Sequence, residues 1–395
     1  MPTLRQLFLA HVAQTSDFPL ALEISHSEGM YLYDADGKAY LDLIAGIGVS
    51  SLGHRHPAVV EAVKTQLDQY LHTIVYGEFV LAPQVQLAKL LSDQLPAPLD
   101  SVYFVNSGTE ATEGAMKLAK RYTGRAEFVA AKRAYHGSSQ GAASLMWPKD
   151  FTQAYHPLLP GIRHLDFNCY QCLDRITERT AAVILETVQA EWGIRKPIPE
   201  WLRAVRRRCD QVGALLILDE IQAGYGRTGS LWAFEQYGLV PDILLLAKGM
   251  GGGMPIGAFV ARRELMHHLA YDPILGHITT FGGHPVSTAA GLATLQTLLA
   301  EDYIAQVPAK EALFLELLQH PRILDVRSAG LWLAVELTSF EAVQTVIRHC
   351  LAEGLITDWF LFNDRSLRIA PPLIITEEQI CWACEVILAG VERLE

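Results

Sequence analysis

Lys248 closes an apolar run, Asp242–Ala247, and is followed by Gly249-Met-Gly-Gly-Gly253. Lysine seldom ends a buried strand. Desolvation and nearby cations would lower its pKa and leave a neutral amine able to bond a carbonyl carbon. The plainer alternative is a lysine whose stem lies on apolar surface while its head reaches water. Asp219 ends a second apolar run, Ala214–Leu218. A carboxylate there is costly without a partner. That partner could be a metal, a basic side chain or a protonated ring nitrogen, and Gln222 could reach the same ligand. Ser107-Gly-Thr-Glu110 follows a third run, Val102–Val105, and opens a helical pattern. Its spacing suits a capping box. It equally suits an anion cradle, because free N–H groups and the positive dipole end meet at a helix start.

These residues need elements that bring them together. Between about 85 and 290, short apolar runs alternate with helical patterns: Val102–Val105, Glu127–Ala131, Ala181–Glu186, Ala214–Asp219, Asp242–Ala247 and Ala258–Ala261. Such alternation predicts an α/β fold with a mainly parallel central sheet covered on both faces. Ligands bind beyond the carboxyl ends of such strands. Ser107, Tyr135-His-Gly137, Glu186, Asp219 and Lys248 would then share one rim. An opening helix over Leu4–Gln14, a hairpin over Tyr31–Leu43 and a helix from Pro57 to Leu71 precede this region. Helices with strands near Gly330–Leu337 and Ser366–Ile369 follow it. The expected division is 1–54 and 289–395 in a smaller α+β domain built from the two termini, and 55–288 in a large cofactor-binding domain.

A lysine for an aldehyde, a carboxylate for a pyridine nitrogen and an anion cradle for a phosphate are what pyridoxal phosphate requires. Gly224-Tyr-Gly-Arg-Thr-Gly229 spells the glycine pattern of a dinucleotide site. Asp219-Glu220 intervene between strand and glycines, however, no small-residue helix follows Gly229, and Asp242 begins the next strand instead of ending it. His54, His56, His277 and His284 lack a metal-ligand spacing, so no metal is expected. Cys169/Cys172 and Cys381/Cys384 share a C-x-x-C spacing but lie too far apart for one zinc site; core cysteines in a reducing compartment are the expectation.

Leu218-Asp-Glu-Ile-Gln-Ala-Gly-Tyr-Gly-Arg-Thr-Gly229, with Pro241-Asp-Ile and Ala247-Lys-Gly-Met-Gly-Gly-Gly-Met-Pro-Ile-Gly257, resembles the class III aminotransferases, nearest the acetylornithine/ornithine subgroup. The likeness runs from Tyr31-Leu-Tyr-Asp-Ala-Asp-Gly-Lys to Leu367-Arg-Ile-Ala-Pro-Pro-Leu373. It implies the fold type I architecture, a pyridoxal 5'-phosphate cofactor, and transfer of an amino group from an amine or ω-amino acid to a 2-oxo acid. It implies roles too. Lys248 forms the imine and moves the substrate proton. Asp219 pairs with the ring nitrogen, and Gln222 lies near the ring hydroxyl. Ser107, Gly108 and Thr109 hold the phosphate, Tyr135 stacks on the ring, and His136 and Glu186 lie near the cofactor. Thr280 reaches a neighbouring subunit's phosphate, so a homodimer with shared sites is implied. Glu191 and Arg368 form a gate in which the arginine takes an α-carboxylate. Three motifs depart from the family's: His136-Gly-Ser-Ser139 has Ser138 where an arginine would bind a distal carboxylate, Glu186-Thr-Val-Gln-Ala-Glu191 differs at its middle, and His284-Pro285 replaces Asn-Pro. Ser138 cannot supply a bidentate cation, so substrate choice is the property it touches; Arg133 is the candidate substitute. A decarboxylase, racemase or aminomutase on the same scaffold is the alternative function. A cofactor-less homologue is argued against by Lys248 and Asp219.

The composition agrees. With 395 residues, 50% hydrophobic and 19% charged, the chain suits a large packed globule. A formal charge of −11 disfavours a nucleic-acid partner. No apolar run approaches a membrane span and the first residues lack a signal pattern, so a cytoplasmic protein without membrane partners is expected.

Overall fold

The computed structural model describes residues 2–394. Its centre is a seven-stranded sheet in the order Ser101–Val105, Gly257–Ala261, Ile243–Leu246, Leu215–Asp219, Thr180–Glu186, Glu127–Ala131, Ile162–Leu165. Neighbours pair in parallel except Gly257–Ala261, which is antiparallel to both of its partners. The apolar runs are continuous because both faces are covered. Phe128, Ile184, Ile217 and Leu245 enter one apolar cluster; Val129, Leu185, Leu218 and Leu246 enter the other. Helix Gly108–Thr123 turns Ala111, Ala115, Leu118 and Ala119 onto the first face. It ends at Gly124, whose φ of 67° suits a residue without Cβ. Helix Pro199–Val212 buries Trp201, Val205 and Cys209 on the second face.

Two smaller sheets flank this core. In one, Ile24–Glu28, Tyr31–Asp34 and Ala39–Asp42 form an antiparallel meander, joined in parallel by Leu355–Ile356 from the other end of the chain. In the other, Asp325–Ser328, Leu333–Glu336, Asn363–Ile369 and Asp358–Phe360 pair antiparallel. Both termini therefore contribute to the smaller α+β part of the fold. Among the described residues no helix is long and apolar enough to cross a membrane.

Several expectations shift. The opening helix stops at His11, and the helix from Pro57 stops at Gln69. Cys169 and Cys172 are not core cysteines: they form a disulfide on a partly exposed turn, because the spacing that suits a helix face suits a tight turn as well. Cys381 and Cys384 stay free on helix Glu377–Glu392, with only Cys384 buried. The glycine pattern 224–229 makes turns, not a dinucleotide loop. Gly226 and Gly229 have φ of 87° and 91°, and the buried Arg227 between them donates to the Leu331 carbonyl at 2.7 Å.

Candidate active site

The carboxyl ends of the parallel strands open onto a cavity of about 520 Å³. Ser107, Gly108, Thr109, Tyr135, His136, Ser138, Glu186, Asp219, Gln222 and Lys248 all line it. Strand alternation selects among them. Asp219 ends its strand facing the cavity, while Glu220 points away and accepts from the backbone N–H groups of Ala233 and Phe234 at 2.7 and 2.6 Å. Burial pushes the Glu220 carboxyl up to about 7.

Asp219 is 4% exposed. One carboxylate oxygen accepts from the Ile221 N–H at 2.9 Å, and the other lies 2.7 Å from His136 Nδ1. His136 is itself buried, and its Nε2 has no partner. A buried carboxylate held by one imidazole is an acceptor still able to take a cation. Glu186 sits opposite Asp219 in the strand register. Burial and then the Asp219 charge raise the Glu186 carboxyl well above its usual range, against the N–H bonds from Ala190 and Tyr135. Lys248 lines the same cavity, partly buried. Burial lowers its ammonium to about 8; Glu191, Asp219 and Glu186 oppose the fall and Arg368 assists it.

At the rim, Ser107 is the N-cap of helix Gly108–Thr123 and accepts from the Glu110 N–H at 3.3 Å. Glu110 does not return to Ser107. It accepts instead from the Asn106 N–H at 2.6 Å and the Asn106 side chain at 2.9 Å. Beyond the capped Glu110 N–H, the Gly108 and Thr109 N–H groups of the first turn remain available to an anion. A Cβ on Gly108 would lie 2.8 Å from Ile221 Cδ1, in the cavity wall. The Thr109 hydroxyl is engaged with Ser139 at 2.5 Å.

Behind Gln222, Glu191 and Arg368 form a bidentate pair, Nη2–Oε2 2.9 Å and Nη1–Oε1 3.2 Å, both residues buried. Gln222 Nε2 lies 3.4 Å from the same glutamate. Burial opposes the Glu191 charge, but Arg368, the Leu361 N–H and Lys248 outweigh it and hold its carboxyl low. Ser138 is exposed, its hydroxyl 2.9 Å from the Tyr135 phenol. Arg133 does not join the cavity wall; its guanidinium lies over the Trp192 ring at 4.8 Å. Thr280 is exposed and outside this chain's cavity lining. Sequence reasoning passed over the apolar wall, Val49, Val188, Ile221, Met254 and Ile256, and over Asp358, whose Oδ1 lies 3.1 Å from Arg368 Nε. For the wall, the Gly-Met-Pro-Ile stretch after Lys248 was the available signal; for Asp358 there was none.

A neutral-capable amine, a buried carboxylate with capacity for a cation, and a helix start with room for an anion fit a phosphorylated pyridine aldehyde. Residues 12–390 match the family described as Aminotransferase class-III. The acetylornithine aminotransferase of Methanopyrus kandleri is 40% identical over 375 residues, 94% of each chain. That of Caldanaerobacter subterraneus subsp. tengcongensis is 38% identical over 374, covering 91% of this chain and 92% of its own. The fold matches an ornithine aminotransferase of Toxoplasma gondii with TM-score 0.90 at 28% identity, over 98% of this chain and 92% of that one. It also matches a transaminase of the marine bacterium Virgibacillus with TM-score 0.93 at 24% identity, over 99% and 98%. The chain belongs to the class III aminotransferases and is a pyridoxal-phosphate-dependent transaminase.

Proposed function

We propose that the cavity is the transamination site, with Lys248 bonding the cofactor's aldehyde carbon and Asp219 facing its ring nitrogen. The observation that carries this is the convergence on one cavity of a lysine lowered to about 8 and a buried carboxylate whose only side-chain partner among the described residues is His136. When bound, pyridoxal phosphate supplies an electron sink through which an amino group is carried between substrates. Asp219 keeps the ring nitrogen protonated, and His136, donating through Nδ1, holds the carboxylate in place. Lys248, whose ammonium burial lowers to about 8 and so readies Nζ to give up its proton, moves the proton on the substrate carbon. The start of helix Gly108–Thr123, with Ser107, Gly108 and Thr109, would hold the phosphate; Tyr135 would stack on the ring, Gln222 would lie near its hydroxyl and Glu186 near the cofactor. Arg368 takes the α-carboxylate of a 2-oxo acid once Glu191 withdraws.

The donor is an ω-amino acid or amine of the ornithine/acetylornithine kind, as the likeness to acetylornithine aminotransferases suggests. Ser138, which offers no cation, relaxes the demand for a distal carboxylate. The enzyme is a homodimer. What supports the dimer is exposed apolar surface around Thr280: Ile278 and Phe281 are 49% and 53% exposed, and Phe281 touches His72, whose chain neighbour Leu71 is also exposed. Patches of this kind mark subunit contacts. Borohydride reduction of the holoenzyme followed by peptide mapping tests the site. The cofactor label is expected on Lys248; a label on another lysine refutes the assignment.

A further inference from the structure

Among the described residues the Arg368 guanidinium has four partners, of which Glu191 belongs to the gate pair and Asp358 is a second carboxylate. Strand Asp358–Phe360 pairs antiparallel with Asn363–Ile369, and the register sets Asp358 opposite Arg368. Asp358 Oδ1 lies 3.1 Å from Arg368 Nε. Glu191 takes the Nη edge. The Trp359 carbonyl accepts from Nη2 at 2.9 Å, and the Phe360 ring lies 4.6 Å from the guanidinium carbon. Asp358 Oδ1 and Arg368 Nε make an ion pair but no aligned hydrogen bond, and neither atom has another hydrogen-bond partner. They are two unsatisfied groups facing each other.

We propose that Asp358 is a positioning residue that holds the Nε edge of Arg368 while Glu191 gives way to a substrate carboxylate. The proposal rests on the reading of Arg368 as the carboxylate site. Its logic is an exchange. Before binding, the guanidinium carries Glu191 and Asp358; afterwards it carries the substrate carboxylate and Asp358. Repulsion between Asp358 and whichever carboxylate occupies the Nη edge is similar on both sides, so the charge of Asp358 largely cancels from the exchange. Its hold on Nε does not cancel. In the interval when the Nη edge is empty, Asp358 is the carboxylate left beside a buried cation, and a buried cation without a partner is strongly unfavourable. With Nε anchored, the fork formed by Nη1 and Nη2 stays turned to the space Glu191 vacates, the geometry a bidentate carboxylate needs. Burial pushes the Asp358 carboxyl up to about 6 against the pull of Arg368, so it is ionised under ordinary assay conditions near pH 8.

The test compares Asp358→Ala, Asp358→Asn and Arg368→Ala holoenzymes in steady-state transamination, varying the better 2-oxo acid acceptor of pyruvate and 2-oxoglutarate. Thermal midpoint and the cofactor dissociation constant are measured alongside. Asp358→Ala should raise the acceptor's KM roughly tenfold, the scale of a lost charge-assisted contact. Its kcat, midpoint and cofactor affinity should stay near wild type. Asp358→Asn, which restores a neutral acceptor at the same place, should recover most of the KM. A KM raised in Arg368→Ala but unchanged in Asp358→Ala overturns the proposal alone. An unchanged KM in Arg368→Ala overturns the Arg368 reading and the proposal with it. Parallel losses of KM, kcat and cofactor affinity in both Asp358 variants mark a structural role and also overturn it.

Discussion

Replacing Lys248 by methionine should abolish transamination and, in the cofactor-free protein at neutral pH, raise stability. Burial lowers the Lys248 ammonium from 10.5 to about 8, and each tenfold change in proton affinity is about 1.4 kcal/mol. The folded chain therefore bears a cost on the order of 3 kcal/mol, nearer ~2 once water in the open cavity is allowed for. The sign follows from linkage. Below about 8 the lysine is charged in both states and the cost is fully present. Between about 8 and 10.5 the unfolded chain holds a proton that the folded chain has released, so stability rises with pH. Above 10.5 the cost is gone. Methionine keeps an unbranched apolar stem and removes the charge. Urea unfolding of cofactor-free wild type and Lys248→Met, near pH 7 and again near pH 10, measures the effect. The variant should be more stable by roughly 2–3 kcal/mol near pH 7, and the gap should close at the higher pH. The comparison matters because Cys209, Cys350 and Cys384, which burial pushes up to about 12, lose stability over part of the same range in both proteins. Equal stabilities near pH 7, or a gap that persists near pH 10, would refute the reasoning.

Asp219→Asn should fold, keeping the Ile221 N–H bond, but lose about 10² or more in kcat/KM, the scale of a pre-organised electrostatic group; near-normal turnover would remove its role. Ser138→Arg should shift the ratio of kcat/KM values from pyruvate toward 2-oxoglutarate by roughly tenfold or more, the worth of a bidentate charge-assisted contact. A wild type that already prefers 2-oxoglutarate strongly, with acetylornithine as its best donor, would show that Ser138 matters little.

The sheet was legible wherever an apolar run was long enough to be buried on both faces. Glu127–Ala131 has the bounds read from the sequence, and Thr180–Glu186 differs by one residue. The antiparallel sense of Gly257–Ala261 was not legible, because a strand buried on both faces looks alike in either direction. Ile24–Glu28, Ile162–Leu165 and Asp325–Ser328 escaped because their Ser, His, Arg and Asp residues break the apolar pattern at exposed or half-buried positions. Within the site, residues that end strands could be read as neighbours from topology alone. The His136–Asp219 contact could not, since it depends on how a loop folds back over a strand end. Glu191 and Arg368 lie 177 positions apart, so only family likeness joins them. Asp358 needs the exact pairing of a hairpin interrupted by a register shift at Trp359/Phe360, which no periodicity encodes.

The charges of the site explain why its parts belong together. Four carboxylates, Glu186, Glu191, Asp219 and Asp358, surround two basic groups, Lys248 and Arg368. Burial and the Asp219 charge raise Glu186 well above the usual range, which favours its neutral form and eases part of the surplus. Glu191 and Asp358 are matched to Arg368, which they together push up against the opposing effect of its burial. Asp219 is left with a half-neutralised amine and one imidazole. A protonated pyridine nitrogen would supply the cation this carboxylate lacks. The cofactor's phosphate, by contrast, would find its partner charge in the N–H groups that open helix Gly108–Thr123. One ligand with a cationic ring and an anionic tail would thus balance both Asp219 and the helix start, and a dianion or a simple amine would balance only one.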